Sequence, residues 1–93
     1  MLFVSLFTLK PTVKFADALE KRIKWEEPGG IKPIAEYWLM TGTPNVISID
    51  EADDIASIMA MTMPWSDLFD ISVVPAVTEQ EGLKLASQMM PKT

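Results

Sequence analysis

In the first nine residues Leu2, Val4 and Leu6 alternate with Phe3, Phe7 and Leu9, so both faces of this segment are apolar until Lys10-Pro11 ends it. A short run of this kind predicts a strand buried on both sides. From Lys14 to about Glu26 the apolar positions are Phe15, Ala18, Leu19 and Ile23, with Trp25 beside them. Their spacing of three and four predicts an amphipathic helix. Thr12 is its expected N-cap, and Pro28-Gly29-Gly30 its stop. Period two returns over Ile31 to Thr41, with Ile34, Glu36, Trp38 and Met40 on one face and Ala35, Tyr37, Leu39 and Thr41 on the other. "TGTPN" at 41–45 is a turn, Val46 to Ile49 the returning strand of a hairpin, and Pro44 belongs in the loop.

"DEADD" at 50–54 is expected to open a second helix, one aspartate capping it and the other acids favoured by the helix dipole. Its expected core stripe is Ala52, Ile55, Ala56, Met59 and Met63, with Ile58 at the edge, and Pro64 closes it. Phe69 to Val77 reads as a fourth strand. Thr78 then caps a C-terminal helix whose Glu81 stands at capping-box spacing. Leu83, Leu85, Ala86 and Met89 give that helix an apolar face.

The order β-α-β-β-α-β followed by a helix predicts an α+β, ferredoxin-like fold: one domain over residues 1–93, with a four-stranded antiparallel sheet and two helices on one face. Two helices cover one side of such a sheet, yet three of the strands are apolar on both. The second face therefore needs a cover. The C-terminal helix and a second copy of the chain are the two candidates, and the expectation is a two-fold homodimer with the open sheet faces in contact.

Composition removes several chemistries. With no cysteine there are no disulfides, thiolate metal sites or thiol nucleophiles; with no histidine the commonest general base, metal ligand and haem ligand are missing. No metal and no cofactor is expected. The net charge of −5 and the scattered lysines and arginines argue against nucleic acid. No run approaches the ~20 apolar residues of a membrane span. The apolar start lacks the features of a leader, so a cytoplasmic protein is expected.

"PGGIK" at 28–32, "EYWLMTG" at 36–42, "EADD" at 51–54 and "WSDLFDISVVPAV" at 65–77 resemble a family of small proteins known only as a domain of unknown function. That family is placed in the dimeric α/β-barrel superfamily. The resemblance spans nearly the whole chain, is most specific over Trp65–Val77, and implies the same fold and a dimer whose sheets close into a barrel. Members of that superfamily include cofactor-independent quinol monooxygenases, muconolactone isomerase-like enzymes, haem-degrading enzymes and stress-response barrel proteins. Such a fold hosts unrelated functions. In this family a histidine often follows the aromatic of the second strand; here Trp38 stands there, so any role of that histidine is absent.

Few side chains suggest a site. Glu36 shares a face with Ile34, Trp38 and Met40, which points a carboxylate into apolar surroundings, where such groups move protons on small organic substrates. The plainer alternative pairs it with Arg22 or with a partner's lysine. Trp65-Ser66-Asp67 is first a helix–strand corner, with Trp65 a possible pocket wall and Asp67 a possible proton acceptor. Some cofactor-free monooxygenases of the superfamily use an asparagine and a tryptophan to orient a phenol; the asparagine here, Asn45, follows a proline in a turn.

The first functional reading is a homodimer binding a small hydrophobic or aromatic molecule, lined by Tyr37, Trp38, Trp65 and Asn45. The alternatives are a cofactor-independent monooxygenase or isomerase with Glu36 or Asp67 as base, and a structural or regulatory dimer without ligand.

Overall fold

The computed structural model describes residues 1–91, so Lys92 and Thr93 of the expected 1–93 domain lie outside the described residues. Strands β1 (Leu2–Leu9), β2 (Ile31–Trp38), β3 (Val46–Ala52) and β4 (Phe69–Ala76) form one antiparallel sheet in the order β2-β3-β1-β4. Helices α1 (Phe15–Ile23) and α2 (Ile55–Thr62) connect the halves, and α3 (Glu79–Met89) follows the last strand. This is the expected ferredoxin-like order. β3 lies between β1 and β2, so the β1-α1-β2 crossover is split by the hairpin return.

Register assigns the two faces. Phe3, Ser5 and Phe7 of β1 stand opposite Asp50, Ser48 and Val46 of β3, and these residues face the helices. Phe3, Ala52, Ile58 and Met61 form one buried cluster beneath α2. Phe7, Ala18, Trp65 and Phe69 form a second beneath α1. The other face carries Val4 opposite both Ile49 and Val74, with Ile47 opposite Leu6 and Tyr37. None of these six residues is buried. α3 does not supply the cover, because it buries none of its own residues and leaves Leu83 64% exposed.

Four local expectations change. β3 runs on to Ala52 instead of stopping at Ile49, so Asp50 and Glu51 are strand residues and only Asp54 caps α2, accepting the Ser57 N–H at 3.0 Å. With the helix starting later, its buried stripe becomes Ile58, Met61 and Thr62, continued by Trp65. Ile55, Met59 and Met63, expected in the core, are exposed. The spacing of three, four and seven is the helical one; its phase is set by the chain entering from a strand. A short 3₁₀ turn, Met63–Trp65, accommodates Pro64 and ends the segment.

α1 is shorter than expected and is preceded by Lys14 with no side-chain cap, Thr12 taking no part. Only Ala18 of this helix is buried; Phe15 and Ile23 are exposed. β2 ends at Trp38, and a register irregularity between Pro33 and Ala35 displaces Ile34 from the simple alternation. Before it, Gly30 adopts φ +85°, and a Cβ there would lie 2.9 Å from Ser57 Oγ. Both facts require glycine where the chain passes the start of α2.

Candidate functional site

Between α1 and the sheet lies a cavity of about 330 Å³, half open to solvent. It exists because α1 sends one small residue, Ala18, toward the sheet, so large aromatic rings from other elements span the gap. Phe7 and Phe69 meet edge to face with centroids 5.7 Å apart, Trp65 lies 6.0 Å from Phe69, and Trp25 packs on Trp65 at 5.3 Å. At the mouth Phe15 from α1 meets Trp38 from β2, again edge to face, at 6.2 Å. All three tryptophans of the chain line this one space.

Among these rings sits a carboxyl group. Asp50 is 2% exposed, and its Oδ2 accepts the Ser48 hydroxyl at 2.6 Å. Burial pushes its pKa above the ordinary 3.8; the Ser48 hydrogen bond works against this, and the charge of Glu36 adds to it. Glu27, at the rim, is raised too, first by desolvation and then by Asp50. The arrangement is an aromatic pocket with a buried acid on its floor, whose carboxyl holds its proton to higher pH than an exposed aspartate does.

The sequence candidates fall in different places. Glu36 reaches the cavity, but Arg22 donates to it from Nε and Nη2 at 3.3 Å, and Trp38 Nε1 at 2.6 Å. Its partner is thus Arg22 of the same chain, and it is the partnered carboxylate of the site. Trp38 and Trp65 both line the space. Tyr37 does not, since it faces the opposite side of the sheet next to Ile47. Asp67 does not either: it is exposed and pairs with Lys21 at 3.3 Å, while Ser66 Oγ donates to the Met63 carbonyl at 2.7 Å. The Lys21 ammonium also sits 5.1 Å over the Trp65 ring and donates to the Pro64 carbonyl. Trp65-Ser66-Asp67 is therefore a built corner whose tryptophan doubles as a cavity wall. Asn45 has a structural task, its side chain accepting the Leu9 N–H at 2.6 Å and its own N–H donating to Phe7 O at 2.7 Å. It borders a second hollow, at the hairpin end, and not the cavity beneath α1.

Asp50 is the residue that sequence reasoning missed. The signal was faint: the alternation Ile47, Ser48, Ile49, Asp50 runs one residue past Ile49 and breaks at Glu51. An acid run at a helix start hides it. Among the described residues no cluster of three acidic side chains is arranged to hold a metal ion.

Residues 1–90 match the domain of unknown function DUF3303. The chain belongs to this family. No protein of curated function and no solved structure matches it. DUF3303 thus brings the chain relatives but no activity. Among the described residues no helix of this member is long and apolar enough to cross a membrane.

Proposed function

We propose that the protein is a homodimer that binds a small hydrophobic or aromatic molecule in the cavity between α1 and the sheet. The observation that carries the reading is the convergence of all three tryptophans and a nearly wholly buried carboxyl on one space. Its volume, about 330 Å³, lies at the small end of the range for ligand sites, about 300–1,000 Å³. Apolar walls with a few convergent polar groups are the usual make-up of such a site. Trp38 and Trp65 are its walls, Ser48 and Asp50 its orienting groups. Assembly through the open sheet face, as in a dimeric α/β barrel, is supported by the apolar surface that neither the helices nor α3 cover.

Two measurements on the purified protein test this. Native mass spectrometry reads the assembly, with a dimer expected and a monomer overturning that half. Titration with 2-phenylethanol, read by tryptophan fluorescence, tests the cavity. Saturable quenching or a spectral shift is expected; an unchanged spectrum up to millimolar ligand overturns it.

A second reading is favoured by Asp50 itself. A carboxyl with a raised pKa beside aromatic walls is placed to take a proton from a phenolic or α-carbonyl substrate, the chemistry of an isomerase or cofactor-independent monooxygenase. In that reading Asp50 replaces Glu36 and Asp67 as the base. Asp50→Asn then abolishes turnover while leaving the fold intact; a variant that keeps its rate overturns it.

A further inference from the structure

We propose that the cavity selects a small organic cation, an alkyl- or arylalkylammonium whose charged nitrogen meets Asp50 and whose apolar body lies among the aromatic rings. This rests on the reading of the cavity as a ligand site and adds the charge of what it takes.

The charges at the site are unbalanced. One guanidinium, Arg22, faces three carboxyl groups, Glu27, Glu36 and Asp50, and it is engaged by Glu36. The ion pairs among the described residues are Lys21–Asp67, Arg22–Glu36 and Lys24–Glu20. Asp50 has none, and its hydrogen bond from Ser48 occupies one of its two oxygens. A carboxylate taken out of water without a cation is costly, and the cost is removed when a cation arrives with the ligand. The raised pKa of Asp50 in the free protein expresses the same imbalance.

The walls point the same way. Aromatic faces attract ammonium groups, tryptophan most strongly, and the attraction grows when water is excluded. Trp65 already takes one ammonium, that of Lys21, 5.1 Å from its ring centroid. An anionic ligand of the same shape would meet Asp50 and Glu27 with Arg22 already committed. A neutral one would leave Asp50 uncompensated. The ligand with a positive end is the one that satisfies both the floor and the walls.

Three ligands of nearly one shape test the charge: 2-phenylethylamine, 2-phenylethanol and phenylacetate, titrated calorimetrically into the intact protein at pH 7.5. The amine is expected to bind at least tenfold more tightly than the alcohol, and phenylacetate most weakly. In Asp50→Asn the preference for the amine over the alcohol, both measured on that variant, is expected to disappear. Thermal denaturation of the variant confirms that it folds. Equal or tighter binding of the alcohol in the wild-type protein overturns the charge selection while leaving the ligand cavity standing. Binding of none of the three overturns both. An Asp50→Asn variant that keeps the amine preference overturns the role of Asp50.

Discussion

At residue scale, Asp50 makes the stability of the fold depend on one proton. Its pKa in the folded protein lies above the ordinary 3.8, chiefly because burial penalises the charge. Between 3.8 and the folded value the native state therefore holds more protons than the unfolded chain, so stability falls as pH rises through that window. Below it Asp50 is neutral in both states and the penalty vanishes. Asp50→Asn, which can still accept the Ser48 hydroxyl, is expected to raise Tm at pH 7.5. The difference from wild type is expected to shrink toward zero near pH 3.5. Paired thermal melts at the two pH values check this, and a lower Tm for the variant at pH 7.5 sinks the account. A group that costs stability in the free protein is the kind retained for binding or chemistry. None of this was legible from composition: five residues in a row, four of them acidic, read as a helix start, and the alternation of β3 breaks at Glu51 before the strand ends at Ala52.

At the scale of elements, β1 was legible to the residue because its pattern is apolar on both faces and proline closes it. α2 was legible as a helix but not in its phase. Its sequence, IASIMAMT, offers apolar residues all round, so the side that packs is decided by the strand feeding it. Two substitutions separate the phases. Ile58 is 0% exposed, and Ile58→Ala is expected to cost about 2–5 kcal/mol. Met59 is 48% exposed, and Met59→Ala is expected to cost about 0.5 kcal/mol or less. Urea unfolding of the two variants checks the order; equal losses would restore the stripe read from sequence. Gly30 gives a second test where β2 begins. Alanine there must hold a left-handed backbone and press on Ser57, for a loss of about 1–2 kcal/mol or more in the same assay. A neutral Gly30→Ala would mean that the turn relaxes freely. The cavity could not be read from sequence, because it follows from how far α1 stands from the sheet. That distance is set by the rings of Phe7, Trp25, Trp65 and Phe69, which come from three separate stretches of chain.

At the scale of the whole molecule, the open sheet face and the stripe of α3 are apolar surfaces with no cover from the described residues. Four strands of about eight residues present roughly 500 Å² of flat face at ordinary strand spacings. A stable interface removes about 800 Å² per partner. The sheet alone falls short, and Leu83 and Met89 on α3 with Met90 just after it, all exposed, are the surface at hand to extend it. The proposed dimer therefore uses both, and a charge on the open face of the edge strand β4 would weaken it. Val74 sits opposite Val4 on β4 and is 45% exposed, so a charge there strains the monomer little. Val74→Glu is expected to convert the dimer to a monomer at micromolar concentration by light scattering, because two like carboxylates would face each other across an apolar seam. In the wild type Tm should rise with protein concentration, and in the variant it should not, since only association couples stability to concentration. The α1 cavity lies on the other side of the sheet, so the variant is expected to keep the ligand response of the wild type. A Val74→Glu protein that stays dimeric places the seam elsewhere, on α3 or on the exposed side of α2 where Ile55, Met59 and Met63 leave a third apolar stripe.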